Sequence, residues 1–164
     1  MKECLPKTVE KFYQDAEQRE EKNYQLATNR NVKTQGFSKS ERVKSKNDFE
    51  KVFSLGKTIH SSDKRFKATY FFDKTNERGL VKAAFAVHKR AGKAVWRNRV
   101  KRLLRDSFRL NKHFLYDAID LAGRNLIVVF SPNTVNEKKT KKLSLNDVMP
   151  SVVDLMSKIV DYQL

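Results

Sequence analysis

Residues 89–109, KRAGKAVWRNRVKRLLRDSFR, carry the densest charge in the chain: nine Lys/Arg and one acid, Asp106. Wound as a helix from about Val95 at 3.6 residues per turn, the stretch divides by character. Trp96, Val100, Leu103, Leu104, Ser107 and Phe108 fall on one face, and Arg97, Asn98, Lys101, Arg102, Arg105 and Arg109 fall on the opposite side. The apolar face suits docking on a core. The other face becomes a cationic ridge whose self-repulsion a polyanion would relieve. A merely solvated basic face interleaves Glu at i, i+4, and Asp106 is the one acid available to do so here. Asn98, inside the ridge, both donates and accepts, which fits a phosphate–sugar edge. The chemistry on offer is recognition of nucleic acid.

Groups for covalent chemistry do not gather in the same way. His60, His88 and His113 are scattered, with no pairing on a helix face and no carboxylate at catalytic spacing. No Gly-rich phosphate loop, nucleophile elbow or metal-ligand spacing occurs. A two-metal nuclease needs convergent carboxylates. Glu41, Asp48, Glu50, Asp63, Asp73, Glu77 and Asp106, the acids of the basic region, form no recognisable set. The expectation is no catalytic residue and no metal ligand on this chain. If it takes part in hydrolysis, another molecule supplies the metal site. Cys4 is the only cysteine, which excludes an intrachain disulfide and a Cys-based zinc site and fits a reducing cytoplasm.

The net charge of +16 is unevenly placed. Residues 1–40 hold 8 basic and 6 acidic groups, residues 41–112 hold 21 and 7, and residues 113–164 hold 6 and 6. The positive field therefore belongs to one folded region. That favours a shaped nucleic-acid surface over a membrane-attaching basic arm. No run of 18 apolar residues suggests a membrane span, and the N-terminus lacks the apolar stretch of a secretory signal. The expected location is the cytoplasm, with no membrane partner.

Elements must position the ridge. Residues 6–27 could form a polar helix, and 28–41 read as a linker, so 1–37 is expected to be an N-terminal extension and 38–164 the binding domain. Over 46–55, Phe49, Val52 and Phe53 recur at i, i+3 and i+4, with Gly56 as the stop. Residues 65–72 alternate, with Phe66, Ala68, Tyr70 and Phe72 on one side, and 80–88 alternate through Val81, Ala83, Phe85 and Val87. These two runs read as a hairpin with a long loop. RNLIVVF at 124–130 suits a central strand covered on both faces. Residues 131–142 read as a loop. The last segment, from Leu145 to Val160, has helical apolar spacing, with its methionines as packing. Its start is open between a capping box at Ser144 and Asp147 and a later start at Pro150. The pattern is an α+β sandwich.

RNRVKRLLR at 97–105, after FAVHKRAGKAV at 85–95 and RVKSKNDFEKVFSLGK at 42–57, resembles the bacterial ribonuclease P protein subunit. The resemblance covers roughly residues 40–131. It implies an α-β-β-β-α-β-α two-layer sandwich, a small sheet with helices packed on it and a left-handed crossover at the basic helix. It also implies two binding surfaces. Arg97, Asn98, Arg99, Lys101, Arg102, Arg105 and Arg109 would meet the catalytic RNA. Phe49, Phe53, Phe66 and Tyr70, with Lys89 and Arg90, would line a cleft for the single-stranded 5′ leader of precursor tRNA. Mg²⁺ would be held mainly by the RNA subunit. His88 stands where the family usually has Ser. The alternative is a structural protein of ribosomal RNA. A DNA-binding regulator is disfavoured because no helix and short turn precede the basic helix, so DNA is not an expected partner.

Overall fold

The computed structural model describes residues 36–74 and 79–162. The expected extension, 1–37, lies outside the described residues apart from Gly36 and Phe37. The elements are α1 (Lys46–Leu55), β1 (Lys57–His60), β2 (Phe66–Lys74), β3 (Val81–Phe85), a single 3-10 turn (Lys89–Ala91), α2 (Ala94–Leu121), β4 (Arg124–Pro132) and α3 (Leu145–Asp161). This is the α+β order that the resemblance implied.

The sheet runs β1-β2-β4-β3. β1 and β4 each pair antiparallel with β2, and β3 pairs parallel with β4, so the chain crosses over through α2 between them. The expected hairpin of β2 with β3 is therefore wrong. Phe130 of β4 stands opposite Ala68 on one side and Phe85 on the other. The reason is burial. Leu126, Val128 and Phe130 pack toward one face and Ile127 and Val129 toward the other, and only a central strand is covered on both. The actual hairpin joins β1 to β2.

The larger core lies between the sheet and the pair α2 and α3. Trp96, Val100, Leu103, Leu104, Ser107 and Phe108 are all buried, as their spacing requires. α1 lies on the opposite face, where Val52 joins Val43, Ile127 and Val129 in a second cluster. Ion pairs Lys82–Asp48 at 3.0 Å and Lys51–Asp73 at 3.4 Å tie α1 to β3 and β2. Gly56 ends α1 in extended backbone. A Cβ there would sit 2.1 Å from the Val52 carbonyl oxygen and 2.8 Å from that of Tyr70, so close approach demands the glycine.

Two boundaries differ from the sequence reading. The basic helix continues well past Arg109, to 28 residues. The stretch read as a linker is anchored from Phe37 onward. That ring packs edge-on against Phe85 and Phe108, at 5.7 and 5.8 Å between centroids. The Ala83 N–H then donates to the Glu41 carbonyl at 2.8 Å, and the Val43 N–H to the Ala83 carbonyl at 3.2 Å. The open choice at the last helix resolves toward Ser144, whose N–H and hydroxyl reach Asp147 Oδ2 at 2.9 and 2.6 Å. Pro150, which has no N–H to give the Asn146 carbonyl, lies inside α3 at a position where both residues are exposed.

Candidate nucleic-acid interface

Burial of the Trp96–Phe108 face turns the opposite face of α2 outward. Asn98, Arg102, Arg105 and Arg109 follow one another at i, i+4, i+7 and i+11, a straight stripe along the helix. Asn98, Arg99, Arg102 and Arg105 are exposed, Arg109 is half-buried at the end of the stripe, and Arg97 and Lys101 are half-buried along its flank. The first turn contains no acid, and Lys93 at the N-cap makes no side-chain cap. The partial positive charge of the helix start thus adds to the ridge. Asp106 is spent on Arg109, at 3.6 Å. Among the described residues, the Nε of Arg97 is the one buried side-chain polar atom without a hydrogen-bond partner. All seven predicted ridge residues therefore lie on one helix, outside its packed face.

Further along the same helix a cation turns inward. Lys112 is 7% exposed and pairs with Glu41, which also accepts from the Tyr116 hydroxyl at 2.9 Å and the Ser38 N–H at 2.6 Å. Burial pushes the Glu41 carboxyl up, but the bonds from Lys112, Ser38 and Tyr116 outweigh it and hold the group below the ordinary range. Burial and the Glu41 contact push the Tyr116 phenol well above its usual range. The network fastens the segment ahead of α1 to the basic helix. Sequence reading missed it because one partner lies in irregular chain 71 residues away.

The expected cleft is partly assembled and partly not. Val52 is fully buried, whereas Phe53 is 63% exposed and Phe49 half-buried. The Phe49 and Phe53 rings lie nearly parallel, 10° apart with centroids at 6.5 Å. They form an aromatic platform on the α1 side of the sheet. Phe66 and Tyr70 do not face it. They are 0% and 3% exposed, in the core against α2 and α3. The period-2 alternation of β2 holds, but the parity that is all apolar is the core parity, so the α1 side receives the other one. Phe71 packs with Phe49 on the α1 side, and Lys67 and Thr69 share its parity. Thr58 of β1 meets Thr69 there, hydroxyl to hydroxyl at 3.1 Å. The usable signal was the mixed polar and aromatic character of Lys67, Thr69 and Phe71.

Lys89 and Arg90 stand exposed on the 3-10 turn just beyond β3, whose Ala84 joins the Phe49 cluster. His88 organises that turn: its Nδ1 accepts from the Arg90 N–H at 3.1 Å. An imidazole acceptor here does what a Ser hydroxyl does at a cap. Among the described residues, no group of three or more His, Cys, Asp or Glu stands close enough to hold a metal ion. No helix among them is long and apolar enough to cross a membrane.

A family model described as Ribonuclease P matches residues 37–152. The ribonuclease P protein component of Desulfosudis oleivorans is 31% identical over 122 residues, which span 74% of this chain and 88% of that protein. The ribonuclease P protein component of Caldanaerobacter subterraneus is 37% identical over 105 residues, 62% of this chain and 85% of that protein. Among solved structures, the RNase P protein from Thermotoga maritima aligns with a TM-score of 0.54 at 24% identity, covering 72% of this chain and 96% of that one. The Staphylococcus aureus RNase P protein aligns with a TM-score of 0.52 at 20% identity, covering 74% and 96%. At those identities the two structures speak for the shared fold.

Proposed function

The chain belongs to the ribonuclease P protein family, and on that premise we propose that it binds two RNAs at once. The ridge of α2 docks on the catalytic RNA of ribonuclease P. The platform of Phe49 and Phe53, with Lys89 and Arg90 at its edge, takes the 5′ leader of precursor tRNA. The observation that carries this reading is the placement of the two surfaces on opposite faces of one sheet, linked by the 3-10 turn between β3 and α2. A structural ribosomal protein would need the ridge but has no use for a paired aromatic platform.

Roles follow from the groups present. Arg102 and Arg105 neutralise phosphates of a folded RNA, and Asn98 meets a sugar or base edge. Arg97, half-buried beside this stripe, adds its positive charge to the same field. Stacking on Phe53 and Phe49 holds unpaired bases without reading their sequence. A subunit serving many tRNA precursors needs that tolerance. Lys67, Lys89 and Arg90 neutralise the leader backbone. Mg²⁺, held mainly by the RNA subunit, would activate the water that cuts the leader from precursor tRNA. The protein's own part is to bind and orient both RNAs, in the cytoplasm.

Reconstitution tests the reading. The protein alone should cleave no RNA. Mixed with its cognate catalytic RNA and Mg²⁺ at moderate salt, it should restore release of the leader. Cleavage by rigorously RNA-free protein would overturn it, and so would failure to bind the catalytic RNA while binding ribosomal RNA.

A further inference from the structure

The segment 137–142, EKKTKK, lies outside the ridge and the cleft, yet it is built onto the start of the basic helix. Val135 and Leu143, 5% and 1% exposed, anchor its two ends in the core. Between them the Glu137 N–H donates to the Ala91 carbonyl at 2.8 Å, and the Trp96 indole N–H donates to the Thr140 carbonyl at 3.0 Å. Within the loop, the Thr140 N–H reaches the Asn136 carbonyl and the Lys139 N–H reaches Asn136 Oδ1, both at 2.9 Å. Its one acid is turned inward, with Glu137 Oε2 accepting from the Lys93 N–H at 2.6 Å. Lys138, Lys139, Lys141 and Lys142 are all solvent-accessible, and none makes an ion pair among those found in the described residues.

Four uncompensated cations on a pinned loop repel one another continuously. Among the described residues no acid pairs with them, and the hydrogen bonds that hold the loop shut keep them together. The loop also runs into the ridge. An open groove has Asn98, Arg99 and Arg102 on one wall and Leu143, Ser144 and Leu145, the residues that follow Lys142, on the other.

We propose that the 138–142 loop is a second phosphate-contacting surface for the catalytic RNA, extending the α2 ridge across this groove. The inference rests on the ridge being the RNA-docking face. It commits to the catalytic RNA because the groove joins the end of the loop to Asn98, Arg99 and Arg102 of the ridge, whereas the Phe49 and Phe53 platform lies on the other side of the sheet. Its preorganisation means that binding need not order the loop backbone, so the charge is delivered at low entropic cost.

Two measurements on the full-length protein test it. The first compares wild type with K138Q/K139Q/K141Q/K142Q for binding to the cognate catalytic RNA across a salt series. Leaving two to four phosphates without a lysine makes the log Kd against log salt slope shallower by roughly 1.4 to 3.6 units, at about 0.7–0.9 per phosphate. Affinity at moderate salt falls about tenfold or more. The second probes lysine acylation by mass spectrometry with and without the catalytic RNA, or with precursor tRNA alone. Severalfold slower acylation of these four lysines is expected with the catalytic RNA and not with precursor tRNA. A weakened slope without local protection would mean only a long-range field effect and would overturn the proposed contact. Protection by precursor tRNA alone would reassign the surface and overturn it too. If Arg102→Ala weakens binding while the loop variant behaves as wild type, this inference fails and the proposed function stands. If neither variant matters, the docking face itself is wrong.

Discussion

Truncating Phe53 separates a base-stacking platform from a core residue. The ring is 63% exposed, so about a third of its roughly 200 Å² is withdrawn from water. At about 25 cal/mol per Å² that is ~1.7 kcal/mol, and the better helix propensity of Ala returns ~0.5 kcal/mol. Phe53→Ala should therefore lower stability by only about 1 kcal/mol, a shift of a few degrees in Tm. Losing one stacked base costs roughly 1–3 kcal/mol, or about 5- to 150-fold in Kd for precursor tRNA carrying a leader. Mature tRNA has no leader, and its affinity should hardly change. The assay is fluorescence anisotropy of both RNAs with the reconstituted holoenzyme, beside thermal melts of the protein. Phe66→Ala is the contrast: that ring is fully buried, so the cost should be about 3–5 kcal/mol of stability, with both RNAs affected through unfolding. Equal losses for the two RNAs in Phe53→Ala, or none for either, would refute the platform.

Arg102→Ala should leave the melting temperature unchanged, because the side chain is exposed, while the salt slope for catalytic-RNA binding flattens by somewhat under one unit. Acid should unfold the protein in a defined window. Glu41, Asp63 and Asp154 sit below their ordinary values because hydrogen bonds outweigh the opposing effect of burial. Their stabilisation is complete above the unfolded values, near 4, and is lost as the pH falls through the folded ones. Denaturant titrations should thus be flat from about pH 7 to 5 and decline below about pH 4, and Glu41→Gln should lower the plateau and soften the decline. At Gly92, a Cβ would stand 2.7 Å from Glu137 Cβ and 3.1 Å from Trp96 Cε3. Gly92→Ala should accordingly cost about 1–3 kcal/mol in chemical denaturation by forcing the 137–142 loop off the helix start.

What the sequence determined by itself is what periodicity and local charge can encode. The apolar and cationic faces of 96–109 are separated in one dimension, at a spacing any helix must obey, and the structure reproduces that division residue by residue. The centrality of β4 was legible in the same way, since the strand is apolar at every position that a two-sided burial requires, whereas the spacing of Phe49, Val52 and Phe53 alone reads as a core stripe and only the family resemblance pointed to exposed rings. Tertiary structure decided which parity of β2 meets α1. Period-2 alternation names two faces but not their partners, so Phe66 and Tyr70 went to the core and Lys67 and Phe71 to the platform. It decided too that β4 separates β2 from β3, because pairing between distant strands is a competition no local window contains. The Glu41–Lys112–Tyr116 network and the docking of 137–142 on Trp96 belong to the same class. Each joins groups tens of residues apart through irregular backbone, where no repeat marks the contact and only the folded chain brings donor to acceptor.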